Sequence, residues 1–249
     1  PLFMAKKKEV APSLIDTFGE FQEMKNINLT TMVGVLEESF RSVIAKIYGS
    51  DEGFNVIVNP DKGDFEIWRN REVVADEDLQ DPNQEIALSE ALRIDASYEV
   101  GEEVTDEVNF ASFGRRAILN LRQTLASKIL ELEKDSLYNK YIDKVGTVVS
   151  AEVYQIWKKE MLLLDDEGNE LLLPKNEQIP SDFYRKGESA RAVVARVDNK
   201  NNNPKIILSR TSPVFLQRLF EMEVPEINDG LITIKKIARI PGERAKIAV

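Results

Sequence analysis

The chain has 249 residues, 43% of them hydrophobic, and a formal net charge of −10 from 33 Lys+Arg and 43 Asp+Glu. This length and apolar content exclude a disordered chain and predict two or three domains with their own cores. The sequence has no cysteine and no histidine, which excludes disulfides, thiolate metal sites, serine–histidine triads and zinc hydrolases. No carboxylate pair stands out as catalytic, because 43 acidic residues make adjacent acids inevitable, so we predict no catalytic residue, no cofactor and no metal site. The enzymatic alternative is that acidic pairs hold Mg²⁺ for phosphodiester cleavage.

The start of the chain lacks the apolar core of a secretory signal, and no apolar run approaches about 18 residues. We predict a cytoplasmic protein without a membrane segment. Met4 is the expected natural first residue, which makes Pro1 to Phe3 additions.

The charge is divided unequally along the chain. Residues 1–143 carry 16 Lys+Arg against 28 Asp+Glu, a net charge of −12, and residues 144–249 carry 17 against 15, a net charge of +2. Because nucleic-acid affinity depends on neutralising phosphates, only the second half is a plausible RNA surface, and the acidic half is predicted to dock on protein. The alternative is that the acidic charge serves solubility alone.

The acidic half predicts an α+β domain in which helices cover a sheet. Thr30 or Thr31 is expected to cap a first helix that ends before Gly49. Strands are predicted over 54–58, 65–68 and 72–74, with a turn at 59–64 after the first, and over 104–110. Ser89 is a possible cap for a short helical turn after an acidic loop. The stripe expected on the inner face of the first helix is Val33, Leu36, Phe40, Ile44 and Ile47.

A long amphipathic helix follows and is predicted to begin at Ser112 and to end at Leu137 or Tyr138. Arg115 and Arg122 are seven residues apart and therefore share a face. Two interpretations stay open for that face: solvated charges, or a contact for a partner. The apolar stripe that faces the core is Phe113, Ala117, Leu121, Leu125, Ile129 and Leu132.

The next segment predicts a small closed β-barrel of the OB type, because five short β-rich runs are separated by Gly, Asn and Pro turns. In the fourth run Ala190, Ala192 and Val194 are expected to fill the barrel while Arg191 and Val193 face solvent. The five runs are 146–154, 160–165, 169–174, 189–198 and 205–209.

OB barrels bind single-stranded nucleic acid by stacking bases on aromatic rings and holding phosphates with cations. Tyr154, Trp157, Lys158 and Lys159 combine these groups and are the predicted RNA-binding residues of the barrel. The alternative is that Tyr154 packs inside the barrel and Trp157 covers a turn. Further phosphate partners, each of which is alternatively an ordinary solvated charge, are Lys175, Lys205 and Arg210.

The last segment predicts a helix from Pro213 to Glu221 that buries Val214, Leu216, Leu219 and Phe220, and then two strands, 231–237 and 245–249. One helix and two strands are too few for a stable domain, so the chain is expected to end inside one. A basic cluster is predicted to bind RNA, or alternatively to protect an edge strand from association. Its members are Lys235, Lys236, Arg239, Arg244 and Lys246.

Several strings in the sequence resemble the NusA family of bacterial transcription factors. The longest is Ala-Arg-Ile-Pro-Gly-Glu-Arg-Ala-Lys-Ile-Ala-Val at 238–249, and shorter ones are Glu-Val-Pro-Glu-Ile at 223–227, Leu-Ser-Arg at 208–210 and Phe-Gly-Arg at 113–115. The resemblance spans nearly the whole chain. The barrel departs from the usual pattern of OB barrels of the ribosomal RNA-binding type, because it lacks their Phe-Gly-x-Phe-Val turn and the histidine on a neighbouring strand.

The resemblance implies a multidomain α+β protein without catalytic activity. The implied domains are an α+β domain at 1–143 that binds RNA polymerase, an OB-type barrel at 144–212 and the start of a first KH domain at 213–249, whose Gly-x-x-Gly loop would follow Val249. The implied function is a transcription elongation factor that binds polymerase near the RNA exit channel, contacts nascent RNA and modulates pausing, termination and antitermination. Implied partners are core RNA polymerase, nascent RNA and other antitermination factors, and the implied state is a monomer.

On this resemblance Arg115 and Arg122 become candidates for a contact with polymerase or RNA. The residues by themselves support only an RNA-binding protein with an acidic docking domain. An RNA-binding accessory module of translation or RNA decay therefore remains the alternative.

Overall fold

The computed structural model describes residues 28–59 and 64–249, so Met4 as the expected first residue and positions 60–63 of the predicted 59–64 turn lie outside the described residues. The chain divides into two compact units, the first ending at Ile129 and the second running from Leu130 to Val249. In chain order the helices and strands are α1 (Leu29–Tyr48), β1 (Phe54–Asn59), β2 (Asp64–Val74), β3 (Glu85–Ala87), α2 (Leu88–Ile94), β4 (Glu103–Glu107), α3 (Gly114–Ile142), β5 (Val148–Ile156), β6 (Glu160–Leu164), β7 (Glu170–Pro174), β8 (Ser189–Lys200), β9 (Asn203–Ser209), α4 (Pro213–Glu223), α5 (Pro225–Asn228), β10 (Lys236–Ile240) and β11 (Arg244–Ala248).

The first unit is an α+β layer built on the long strand β2, which pairs antiparallel with β1 and β4 and parallel with the short β3. Helix α1 and the first half of α3 share an apolar core with this sheet. Phe40 occupies its centre, with its ring centroid 4.4 Å from that of Phe65 and 5.3 Å from that of Phe110. The predicted α+β architecture is confirmed.

Several predicted details of the first unit are wrong. The side chain of Asn28, rather than Thr30 or Thr31, caps α1 by accepting from the Thr30 amide. Ile47 belongs to the predicted apolar stripe but is 44% exposed. The face of α1 that packs on the sheet therefore includes only part of that stripe. Ser89 is not a helix cap, because residues 85–87 form strand β3 and α2 already begins at Leu88. The Ser89 amide donates to the Asp76 side chain.

The barrel of the second unit is closed in the strand order β5-β6-β7-β9-β8, with β8 returning to pair with β5. Strands β7 and β9 run parallel, and the other neighbours run antiparallel. This confirms the predicted five-stranded OB-type barrel. β8 and β9 are longer than predicted, because Asn201 and Asn202 both take positive φ (54° and 51°) and close a two-residue turn between them.

The last segment packs on the outside of the barrel. Helix α4 begins at Pro213, as predicted, is capped by the side chain of Ser212, and contacts β5 and β8. Its buried residue is Phe215, 3% exposed, whereas the predicted Val214 is exposed. Val193 is buried although it was expected to face solvent, since α4 covers this part of β8.

The first strand of the last hairpin is displaced from its prediction. Residues 231–235 precede it, and β10 begins at Lys236 and pairs with β11. The alternation of Leu231, Ile232 and Ile234 with polar residues resembles a strand, but Gly230 at φ 74° and the preceding turn place these residues in a loop.

The end of the long helix is fixed to the barrel by one carboxylate. Asp165 follows β6 and accepts from the Tyr141 hydroxyl at 2.5 Å, from Lys140 Nζ at 2.9 Å, and from the amide and side chain of Asn169. Burial raises the pKa of Asp165, but these hydrogen bonds outweigh it and hold the pKa well below its usual range. Helix α3 extends to Ile142, beyond the predicted end, because Tyr141 is needed at this contact.

Replacing Asp165 by Asn should lower the free energy of unfolding by about 2–3 kcal/mol at neutral pH, since charge-assisted hydrogen bonds are lost. A carboxylate with a depressed pKa stabilises the fold above its unfolded pKa of about 3.9 and loses that contribution as the pH falls further. The difference between wild type and Asp165→Asn should therefore shrink below about pH 4 in urea unfolding curves. Asp166→Asn is the matched control, because Asp166 is exposed; an equal loss in both variants would contradict this role.

A close backbone contact joins the last hairpin to the barrel. The turn between β10 and β11 places Gly242 at φ 81°, and a Cβ there would lie 2.7 Å from Ile179 Cγ2 and 3.2 Å from Ser181 Oγ. Both the left-handed backbone and the lack of space therefore require glycine. Arg239 adds two hydrogen bonds, from Nη1 to the carbonyls of Arg210 and Ser212, each 3.1 Å.

Gly242→Ala should destabilise the second unit more than Gly230→Ala does. Both glycines have positive φ, but nothing lies within 4 Å of a Cβ on Gly230. Gly230→Ala should cost about 1–2 kcal/mol from backbone strain alone, and Gly242→Ala about 1–3 kcal/mol more from overpacking. Thermal unfolding measures both, and equal shifts would contradict the close contact.

Candidate nucleic-acid interface

The aromatic residues predicted for the barrel lie at the exposed end of β5. The pairing of β5 with β6 shifts register between Val153 and Gln155, so Tyr154 is the extra residue of a β-bulge. Tyr154 is 51% exposed and Trp157 46% exposed. The interpretation that Tyr154 packs inside the barrel is therefore wrong, and both rings are accessible to a base.

Three of the predicted cations surround the turn that follows Trp157. The Trp157 amide bonds the Glu160 carbonyl at 2.9 Å and closes the turn, which presents Lys158 and Lys159 to solvent. The Lys175 amide bonds the Lys159 carbonyl at 2.8 Å, so Lys175 joins them. The structure thus brings one aromatic ring and three exposed ammonium groups together, as stacking and phosphate contact require.

The remaining barrel candidates are placed differently. Lys205 is exposed on β9, opposite Asp198 of β8. The guanidinium of Arg210 is only 16% exposed, donates from Nε to Asp182 at 2.6 Å and from Nη1 to the Arg191 carbonyl at 2.5 Å, and lies over the ring of Tyr184. These contacts give Arg210 a structural position inside the second unit.

The basic cluster of the last hairpin is divided between its two faces. Residues that are paired across the two strands share a face of the hairpin. Lys246 pairs with Ala238 and Arg244 pairs with Ile240, so both lie on the same face as Lys236. All three cations are exposed. Arg239 lies on the other face, where burial and the Arg210 charge lower its pKa. Lys235 is exposed just before β10.

Sequence reasoning missed three exposed residues of the loop between β7 and β8. Phe183 is 79% exposed, and Arg185 and Lys186 are exposed beside it. The signal was the string Asp-Phe-Tyr-Arg-Lys at 182–186, where aromatic and basic residues stand together outside any predicted strand.

In the first unit the predicted arginines lie on an open face of α3. Arg115 and Arg122 are exposed, and Leu119 between them is 57% exposed. At 100° per residue these three side chains fall within about 60° of one another. An exposed leucine between two arginines is a small mixed surface of the kind found in protein contacts.

Residues 28–59 and 64–249 contain no group of three or more acidic side chains placed to hold a metal ion. Over the same ranges no helix is long and apolar enough to span a bilayer.

Two family models match this chain. Residues 13–135 match the NusA N-terminal domain, and residues 210–249 match the NusA-like first KH domain, together well over half of the chain. This chain belongs to the NusA family. The predicted resemblance is confirmed, and the family names cover both the sheet-based unit and the segment that contains α4 and the last hairpin.

Curated NusA relatives match over nearly the full length of this chain. Each of three is a transcription termination/antitermination protein NusA: from Thermus thermophilus, 34% identical over 92% of this chain; from Halalkalibacterium halodurans, 32% over 94%; and from Bacillus subtilis, 30% over 96%. The chain covers 61% to 64% of the length of these relatives. Their names describe transcription factors and no enzyme.

One solved NusA structure also matches. The solution structure of the N-terminal domain of NusA from B. subtilis is 24% identical, with a TM-score of 0.36, over 50% of this chain and 98% of that one.

The site geometry predicts that Trp157→Ala weakens binding to single-stranded RNA by about 1–3 kcal/mol, because a ring this exposed can stack one base. Fluorescence anisotropy with a labelled oligonucleotide measures the change. Trp68→Ala is a control that removes the other tryptophan, which lies in the first unit and donates from Nε1 to Glu66. Unchanged affinity of Trp157→Ala with an intact circular dichroism spectrum would assign the ring to the turn alone.

Proposed function

We propose that this chain is the polymerase-docking and RNA-contacting part of a cytoplasmic transcription elongation factor. Its first unit binds core RNA polymerase near the RNA exit channel, and its barrel and last hairpin contact the nascent RNA as it emerges. Through these contacts it modulates pausing, termination and antitermination as a monomer, together with other antitermination factors. The observation that carries this proposal is membership of the NusA family, whose relatives are named for termination and antitermination.

The docking half of the proposal is supported by the face of α3. Arg115, Leu119 and Arg122 are exposed together, and neither arginine forms an ion pair with any residue in the described ranges. Other basic groups of the same unit are engaged, since Arg69 and Arg71 pair with Asp106 and Lys128 pairs with Glu38. The unpaired arginines stand out in a half with a net charge of −12, and they give an acidic partner surface a specific place to bind.

The RNA half of the proposal is supported by the exposed aromatic and basic groups of the second unit. Residues 144–249 are close to neutral, with a net charge of +2. The barrel is therefore expected to bind RNA weakly by itself and to gain affinity when docking on polymerase raises the local RNA concentration.

Replacing both Arg115 and Arg122 by Glu should raise the Kd for core RNA polymerase at least about tenfold, because two attractive charges become repulsive. Biolayer interferometry with immobilised core polymerase measures this. Arg116→Glu is the matched control, because Arg116 is exposed on the same helix but lies about 100° around it from Arg115. The affinity of this variant for core polymerase should change little.

A second arm of the experiment tests the whole proposal. If wild-type chain fails to retain core polymerase from an extract and retains ribosomes or a ribonuclease, the protein is an accessory factor of translation or RNA decay. If it retains polymerase and the double variant retains it equally well, polymerase docking stands and the α3 face is not the docking surface.

A further inference from the structure

The loop between β7 and β8 holds Phe183 outward by anchoring both of its neighbours. Asp182 accepts from Arg210 Nε at 2.6 Å, and the ring of Tyr184 lies 5.5 Å from the Arg210 guanidinium and packs against the barrel core. Phe183 between them is 79% exposed. A large ring that is held in water by two fixed neighbours does not stabilise the fold. An exposed ring marks a binding surface when other exposed apolar groups lie beside it.

The same loop runs alongside the aromatic end of β5. The Gly187 amide bonds the Val153 carbonyl and the Val153 amide bonds the Glu188 carbonyl, both at 2.8 Å. These bonds place Gly187 and Glu188 beside Val153, the residue before Tyr154, and the Glu188 amide bonds the Arg185 carbonyl at 3.2 Å to close a turn over residues 185–188. The loop therefore continues the exposed aromatic surface of the barrel.

The charge of the loop favours a polyanion. Arg185 and Lys186 are exposed, and neither side chain forms an ion pair within residues 28–59 and 64–249. The nearby carboxylates are already occupied, since Asp182 binds Arg210 and Glu188 accepts from the Arg185 amide at 2.9 Å. Two free cations beside two exposed rings fit a nucleic-acid strand better than an apolar protein surface.

The loop also reaches the last hairpin. Ile179 and Ser181, at its start, touch the turn at Gly242, which leads directly into Arg244 of β11. The segment 179–188 thus connects the β5 aromatic end to the hairpin that carries the exposed cations.

We propose that segment 179–188 binds single-stranded RNA, with Phe183 stacking a base and Arg185 and Lys186 contacting phosphates. It joins the barrel and the last hairpin into one continuous RNA-binding path. This inference rests on the RNA contact in the proposed function and adds to it a segment and three residues.

Binding of fluorescein-labelled oligouridylate to the full chain tests it by anisotropy, with probes from about 6 to about 20 nucleotides, which bracket the site of one OB fold. Phe183→Ala should raise the Kd for the long probe at least about fivefold. Arg185→Ala with Lys186→Ala should reduce the slope of log K against log salt by about 1.4, as expected for two lost phosphate contacts on a single strand. Both variants should lose most of the gain in affinity that wild type shows as the probe lengthens.

Lys200→Ala is the matched control, because Lys200 is an exposed lysine at the opposite end of the 12-residue strand β8 from Lys186. Thermal unfolding confirms that each variant is folded, and 4-thiouridine crosslinking to the peptide containing Phe183 gives an independent readout. If wild type binds and Trp157→Ala weakens binding while Phe183→Ala and the double variant do not, the inference is overturned and the proposed function stands. If wild type binds no probe, the RNA contact fails with it. If Phe183→Ala weakens binding to polymerase alone, the loop is a protein contact and the inference is overturned.

Discussion

The Asp165 carboxylate is the contact on which the second unit depends. It is 10% exposed and accepts five hydrogen bonds, from Tyr141, Lys140, the amide and side chain of Asn169 and the Glu167 amide. Burying a charge is costly unless it is paired and hydrogen-bonded, and here every donor is supplied by the helix end or by the β6–β7 turn itself. The last turn of α3 is thereby fixed to the barrel, and Leu137 and Tyr141 of that turn and the one before it supply part of the barrel's core.

Arg210 has a similar role at the other side of the barrel. Its side chain binds Asp182 and the Arg191 carbonyl and lies between the rings of Tyr184 and Phe215, and its own carbonyl accepts from Arg239. Two arginines predicted as phosphate partners are therefore largely occupied in joining the loop, the barrel, α4 and the last hairpin. This leaves the exposed lysines, Arg244, Arg185 and the aromatic rings as the groups available to RNA.

Periodicity predicted much of the fold, because burial of one face is a local property of the sequence. The five barrel strands, the long helix, the end of α1 at Gly49 and the start of α4 at Pro213 follow from the sequence in this way. The patterns did not reveal strand β3, because three residues are too few to show a period. They also placed the start of β10 too early: residues 231 to 237 alternate like a strand, but after the turn at Gly230 the strand begins only at Lys236. The alternation of residues along β8 shows which side of the strand Val193 faces. It does not show that α4 covers that side.

The sequence by itself determined the α+β fold class, the OB-type barrel and the family, because these depend on residue type and spacing along the chain. Tertiary structure decided which of the charged and aromatic residues are available. Lys246 and Arg239 are both basic residues of the last hairpin, yet Lys246 is exposed and Arg239 is half-buried and bonds the carbonyls of Arg210 and Ser212. Phe183 in the loop before β8 and Phe215 in α4 are likewise both aromatic, and packing exposes the first and buries the second. The reason is that a side chain's partners come from segments distant in sequence, which spacing does not record.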